Sequence, residues 1–264
     1  MSQDVTNQEM NNQDIIIQVT DLCKNFGGVK AVNGVSFELK RGEALGIIGP
    51  NGSGKSTLIN LITGFVKPSS GKIVYNGKDI TSLSPDKIVN LGIARSFQMA
   101  KPFYNMPVFK NLIIPLVSPR ARKLAGGKHG HRDESAIHLL EEVGFERDSQ
   151  IPYKPAGSLP HGYVKRLELA RCLALEPDVI ILDELFSGMS MSEVASVLPF
   201  LEQIKEEGKT LIMVEHRLRE LFRVVDKVIC LNFGEKLAEG LAADVIQNEE
   251  VKKSYLGSEV VTGA

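Results

Sequence analysis

The spacing of apolar positions changes along the chain. From Ile15 to Tyr75 they fall in short runs, "IIIQV", "VSFEL", "ALGIIG" and "KIVY", divided by turns rich in Gly, Asn and Lys. Such runs predict strands. One helix interrupts them, from about Lys55 to Thr63, directly after a glycine-rich loop. Between about Met99 and Leu175 the period becomes mostly helical, with "ESAIHLLEEVG" showing apolar residues at helical intervals and a glycine stop at Gly144. The preceding "SPRARKLAGGKHGHRDE", rich in Gly and charge, reads as a surface loop. Beyond Pro177, strands "VIIL", "TLIMV" and "KVICL" alternate with helices near 191–207 and 217–224, the first expected to bend at Pro199. Apolar strands separated by helices suit a parallel sheet covered on both faces. A last helix near 249–255 leads into a short frayed end, residues 258–264, and the polar residues 1–14 form a loose tail. The pattern predicts an α/β core over residues 15–257 with an inserted helical subdomain at about 99–175.

Composition narrows the class. A chain of 264 residues with 43% hydrophobic content can bury one large core, or a core and a smaller subdomain. Its 31 basic and 32 acidic residues leave a formal charge of −1, so no net field draws it to nucleic acid or anionic lipid. Cys23, Cys172 and Cys230 lie far apart and form no C-x-x-C pair. They suit a reducing compartment, argue against structural zinc and read as packed thiols. The apolar runs fall short of the ~20 residues that span a bilayer. The N-terminus lacks the basic start and apolar centre of a signal peptide, so the expected location is the cytoplasm.

Candidate chemistry begins with "GPNGSGKST", that is Gly49, Pro50, Asn51, Gly52, Ser53, Gly54, Lys55, Ser56 and Thr57, which fits G-x-x-x-x-G-K-[ST] between an apolar strand and a helix. Glycines let backbone N–H groups curl around phosphate oxygens, and the helix N-terminus adds partial positive charge. In this pattern Lys55 reaches the β and γ phosphates and the Ser56 hydroxyl ligates Mg²⁺. The second signal is "VIILDE", a strand running into Asp183 and Glu184. Ligands gather at the carboxyl ends of parallel strands, so Asp183 is placed to hold Mg²⁺ and Glu184 to polarise an attacking water.

In this order the elements resemble the ATPase subunit of ABC transporters, over nearly the whole chain from Ile15 to Gly257. The resemblance implies a P-loop NTPase (RecA-like) core with an N-terminal antiparallel β subdomain and an inserted helical subdomain, with ATP and Mg²⁺ as cofactors. "LPHGY", Leu159, Pro160, His161, Gly162 and Tyr163, stands where the family carries its signature, usually LSGGQ. In such proteins two ATPase domains sandwich two ATP molecules, each phosphate loop facing the other domain's signature. Lys165 and Arg166, read as lying in the first turn of the following helix, make sense if that end faces an anion. Gln98 matches the Q-loop glutamine, which implies a sensor joining Mg²⁺ and the attacking water to the membrane partner. His216, after a strand, matches the switch histidine that bonds the γ-phosphate, and Phe26 matches an aromatic that stacks on adenine.

Four positions depart from the family. Pro160 replaces the signature serine, Tyr163 the usual Gln or Glu, Leu185 a proline after Glu184, and Ser190 the Asp or Asn that ends the D-loop "SGMS". Signature and D-loop are offered to a partner's ATP, whereas Lys55, Ser56, Gln98, Asp183, Glu184 and His216, which act on the chain's own ATP, all match. That division predicts an asymmetric heterodimer in which this chain's phosphate loop meets an intact signature and the other site is weak. "VEHRLRELFRVVDKVICLNFGEKLAEG" and the terminal "SYLG" are similar to the larger ATPase subunit of Liv-type importers of branched-chain amino acids. Those systems imply two permease subunits, a second ATPase subunit, an extracytoplasmic solute-binding protein, and a place on the cytoplasmic face of the membrane. The cleft at about Met99–Phe109 is expected to take a short permease helix. The alternatives are the ATPase of a lipopolysaccharide-type exporter and a noncatalytic nucleotide-binding module. No N-K-x-D guanine reader supports a GTPase.

Overall fold

The computed structural model describes residues 14–97, 101–124, 132–146 and 149–261, the side chains from 256 onward excepted. In chain order, β1 (Ile15–Phe26) and β2 (Val29–Lys40) form a hairpin and lead to β3 (Ala44–Ile48). Helix α1 (Lys55–Ile62) follows, then β4 (Ser70–Tyr75), β5 (Lys78–Asp79), α2 (Pro85–Leu91) and β6 (Ile93–Arg95). A helical stretch holds α3 (Ile113–Leu116), α4 (Pro119–Leu124), α5 (Arg132–Glu142) and α6 (His161–Leu173). The chain then alternates: β7 (Val179–Asp183), α7 (Met191–Glu206), β8 (Thr210–Val214), α8 (Leu218–Val224), β9 (Lys227–Asn232) and β10 (Glu235–Gly240). Two helices close it, α9 (Ala242–Gln247) and α10 (Glu249–Val261).

Two sheets result. The smaller is antiparallel in the order β2-β1-β4-β5, and the larger runs β10-β9-β3-β8-β7-β6, parallel except for β10 on β9. Every residue of β3, β7 and β8 is buried, as expected of strands covered on both faces. Their side chains alternate between two cores. Leu45, Ile47, Val179 and Ile181 join the core shared with the antiparallel sheet and α1, whereas Ala44, Ile48, Ile180 and Leu182 join the one packed by α5, α6 and α7. Both faces must be apolar, and the runs "ALGII" and "VIIL" supply that.

Two expectations change. Within the segment read as a surface loop, Pro119–Leu124 and the residues from Arg132 are helical. Pro119 suits a first helical position, and Arg120 pins the turn through an ion pair with Asp178 at 2.9 Å and a bond to the Glu176 carbonyl. Composition alone could not reveal that tertiary anchor. The last helix continues to Val261, beyond the frayed end expected from 258. Residues 1–13 lie outside the described residues, as does Gln98.

All three cysteines are free, Cys172 and Cys230 buried and Cys23 partly so, in line with packed thiols. No helix among the described residues is long and apolar enough to cross a membrane.

Candidate functional site

The carboxyl ends of β3, β6, β7 and β8 place a phosphate-type loop, Arg95, Asp183–Glu184 and Glu215–His216 along one edge of the parallel sheet. This is where the topology of open α/β sheets gathers ligands. After β3 the chain turns through Gly49 at φ 145, where an added Cβ would sit 2.1 Å from the Leu231 carbonyl oxygen. Only glycine fits both the conformation and the contact. Residues Asn51 to Thr57 then wrap one side of a cleft of about 440 Å³, which Val29, Lys30, Ala31, Glu184 and Phe233 complete. The loop is held from outside: the Gly234 N–H donates to the Ser53 carbonyl at 3.0 Å, and Asn33 N–H to Gly234 at 2.8 Å.

Within the loop Lys55 is buried and its ammonium donates to the Gly49 and Pro50 carbonyls at 2.7 and 3.0 Å. Burial lowers its pKa, against the pull of Glu184 and Asp183. The Ser53 hydroxyl is buried with no partner among the described residues, an orphaned donor inside a cradle of backbone N–H groups. Such an arrangement fits an anion. From the C-terminal helix, Tyr255 of the "SYLG" stretch packs on the core and shares a hydrogen bond with the Gly49 backbone.

Glu184 sits in the left-handed region at φ 51, costly for a residue with a side chain. Three bonds over-determine it: its N–H donates to Val214 at 2.9 Å, and its carbonyl accepts from Ser187 N–H at 3.1 Å and from the Lys165 ammonium at 3.2 Å. The twist aims its carboxylate at the cleft, where Oε1 lies 3.2 Å from His216 Nε2. Asp183 and Ser56 line an adjoining cavity of about 570 Å³ with Asn60, Arg95 and Arg171. There Asp183 Oδ2 accepts from Arg95 at 2.7 Å.

Other expected residues fall differently. Phe26 is half exposed at the end of β1 under the Lys24 ammonium, and does not line the loop cleft; Phe233, 85% exposed on the turn between β9 and β10, does. The helix after the signature starts inside it, at His161 with Pro160 as N-cap. Lys165 and Arg166 therefore fall in the second turn, and neither reaches outward for an anion. Lys165 is buried on Glu184, and burial lowers its pKa against the pull of Glu215, Glu184 and Glu168. Arg166 bonds the Gly144 carbonyl and the Ser196 hydroxyl. Tyr163 packs its ring on Phe145, 5.0 Å between centroids, while Leu159 leans on the core. Pro160 and His161 are exposed, and His161 Nε2 lies 3.1 Å from the Ser187 carbonyl oxygen of the D-loop stretch.

Two of the family departures have local reasons. Gly162, which keeps the family's glycine, is buried against the Glu193 carboxylate, where an added Cβ would sit 2.0 Å from its oxygen. That carboxylate closes a capping box with Ser190 at the start of α7: the Ser190 hydroxyl accepts from Glu193 N–H at 3.2 Å, and Ser190 N–H donates back to Oε2 at 2.7 Å. Serine at the end of "SGMS" is thus the helix cap. Leu185 is buried in the core.

Sequence reasoning missed Arg95, Glu215 and Phe233. Each carried a signal: a charge closing the short apolar strand "IAR", an acid inside "LIMVEH", and a bulky residue before glycine in "NFG". Glu215 is buried, accepts from the Phe186 N–H at 2.8 Å, and is pushed up to about 7, chiefly by burial.

A P-loop ATPase core, carrying an acid at a strand end beside a histidine, is thereby defined. The family model described as ABC transporter matches residues 32–187, and the chain belongs to that family of ATP-hydrolysing cassettes. Among curated relatives, the high-affinity branched-chain amino acid transport ATP-binding protein BraF of Pseudomonas aeruginosa is 32% identical over 92% of this chain and 98% of its own. The probable branched-chain amino acid transport ATP-binding protein LivG of Methanocaldococcus jannaschii is 34% identical over 92% and 97%. These relatives bear out the Liv-type resemblance. Among solved structures, a nucleotide-free ATP-binding cassette from an ABC transporter superposes with TM-score 0.81 at 32% identity, over 91% of this chain and 98% of that one. An ADP-conformation cassette of an ABC transporter gives 0.81 at 33%, over 92% and 99%.

Proposed function

We propose that this chain energises a membrane importer of branched-chain amino acids or related small solutes, as one of two ATPase subunits beside two permeases and an extracytoplasmic binding protein. What carries the solute class is that BraF and LivG, matched almost end to end, are branched-chain amino acid transport proteins by name. Reconstitution in liposomes with the two permeases tests it: leucine with its binding protein should raise ATP turnover and leucine uptake together. Turnover indifferent to every branched-chain amino acid would contradict the solute class.

The chemistry follows from the site. Backbone N–H groups of residues 51–57 and the start of α1 take the ATP phosphates, and the Ser53 hydroxyl gains the partner it lacks. Lys55, now folded back on two carbonyls, turns its ammonium to the β and γ phosphates. Magnesium, when bound, would supply positive charge against that of the phosphates. Ser56 and Asp183, which share one cavity, would hold it, and Gln98 is proposed as its third protein contact. Among the described residues no cluster of three His, Cys, Asp or Glu competes as a metal site, and so few protein ligands suit an ion that keeps waters and phosphate oxygens. Glu184 accepts a hydrogen bond and then the proton of the attacking water as the water oxygen bonds to the γ-phosphorus and the bond to the ADP oxygen breaks, and His216, tethered to its carboxylate, is positioned for the γ-phosphate. Phe233, beside the cleft, offers a ring for adenine in place of Phe26.

In the dimer this chain offers its partner Pro160, which has no N–H, and the exposed His161. Each charge-assisted bond lost to a phosphate costs about 1.5–3 kcal/mol, so the site receiving this signature is the weaker one. For the membrane partner, an apolar groove of about 650 Å³ between Phe65, Ile88, Phe97 and Ile114 is the favoured seat. Phe103 and Tyr104, within the 99–109 segment expected to form the docking cleft, do not line this groove and are exposed.

A further inference from the structure

Arg95 closes β6 and stands as the wall between two cavities. On one side its guanidinium faces the space lined by Ser56, Asn60 and Asp183; on the other it borders the apolar groove. Toward the first it donates to Asp183 Oδ2 at 2.7 Å and to Asn60 Oδ1 at 2.6 Å, with side-chain exposures of 9% for Arg95 and 4% for Asp183. Toward the second it lies 5.1 Å from the Phe97 ring centroid and 5.9 Å from that of Phe65, two rings that meet edge to face at 5.5 Å. Its Nε is buried and has no partner among the described residues.

Those facts do not describe a stability device. A buried ion pair contributes little net stability over apolar packing of the same shape, although removing one partner is costly. Arginine's planar fork can bind Asp183 and Asn60 at once while stacking on aromatic faces. Its Nη1 also donates to Thr63 Oγ1 at 3.3 Å, and the orphaned Nε leaves one donor unused among the described residues. The bond to Asp183 falls on the carboxylate that the proposed reaction needs for magnesium.

We infer that Arg95 is a positioning residue, the resident cation on Asp183, which yields that oxygen when magnesium and nucleotide bind, and that the ring pair Phe65–Phe97 ties this exchange to the permease segment proposed above for the groove. The inference rests on the reading of the site as a magnesium-nucleotide site. It predicts competition: cation for cation on one carboxylate.

The test uses the full chain with ADP and magnesium chloride, comparing Arg95→Gln with wild type. Thermal unfolding with ADP in chelator should show R95Q the less stable, because Asp183 is left buried and unpaired. In saturating magnesium the gap should close by more than half. The magnesium concentration for half-maximal ADP retention should fall about tenfold in R95Q, the equivalent of one charge-assisted hydrogen bond. A gap that stays constant, with unchanged magnesium dependence, would make Arg95 a static strut and overturn the inference. Should R95Q not fold, Arg95→Lys keeps a charge but cannot bridge Asp183 and Asn60 together, and must shift the magnesium dependence in the same direction by less; no shift overturns it equally. Phe65→Ala should also lower the magnesium requirement, and an unaltered requirement would remove the link to the groove. If the wild-type chain takes up no ADP at all, the site reading fails; if it does and the variants match it, only the role of Arg95 fails.

Discussion

Glu215 shows how a single side chain can tie stability to pH at this site. It lies one residue before His216, buried, and accepts a hydrogen bond from the Phe186 backbone. Burial and the neighbouring Glu184 raise it from 4.5 to about 7, against the opposing pull of Lys165. A carboxyl raised on folding holds its proton in the folded chain where the unfolded chain has lost it, so stability falls as pH climbs from about 4.5 through about 7. Glu215→Gln keeps an acceptor for Phe186 and removes the titration. Relative to wild type, the variant should gain stability steadily across that window, by roughly 3 kcal/mol in all for a shift of this size. Denaturant unfolding at a series of pH values reads the difference; parallel curves would remove the group from the pH response. In "LIMVEHR" only the histidine was read as chemistry, because the burial that raises the acid before it follows from tertiary packing. Gly49, Lys55, Ser56, Asp183 and Glu184 were legible because phosphate chemistry dictates their types and spacing. Arg95 and Phe233 owe their places to strand pairing and a hairpin turn, which a local motif does not encode.

At the scale of elements, α6 and α7 are joined by a fit of one missing methyl group. Gly162 leaves room for the Glu193 carboxylate, which caps α7 through Ser190. Gly162→Ala should push that carboxylate out of the capping box and cost about 1 kcal/mol, the usual worth of an N-cap. Glu193→Ala should cost a similar amount. Because both act through the same cap, the double variant should lose little more than either single one, as a double-mutant cycle in denaturant would show. Simple additivity would mean that Gly162 serves something else. The strands of the parallel sheet were readable because strands buried on both faces are apolar throughout, and α1, α7 and α8 because their periodicity or their flanks announced them. Helix α4 was not, since its anchor is an ion pair from Arg120 to Asp178, 58 positions along the chain in sequence and adjacent only after folding. The start of α6 was placed too late because a proline and a glycine look like a loop, although proline suits a helix entry and glycine here answers a neighbour.

Over the whole molecule, the groups for the chain's own nucleotide and the groups it would lend to a partner stand in contrast. Lys55, Asp183, Glu184 and His216 are brought to one sheet edge, whereas the signature turns Tyr163 and Leu159 inward and presents Pro160 and His161. In the assembled transporter, Glu184→Gln here should therefore remove more ATP turnover than the same change in the partner ATPase, and equal losses would end the asymmetric reading. Turnover in this site depends on Glu184 acting on water at a phosphate that other groups hold. Nucleotide binding and ATP turnover measured side by side on wild type and Glu184→Gln test that dependence most directly. Glu184→Gln should keep ATP affinity within a few-fold of wild type and lower turnover by about 10²-fold or more, the usual yield of a general base. Turnover at the wild-type rate, or a loss of binding that matches the loss of turnover, would contradict it.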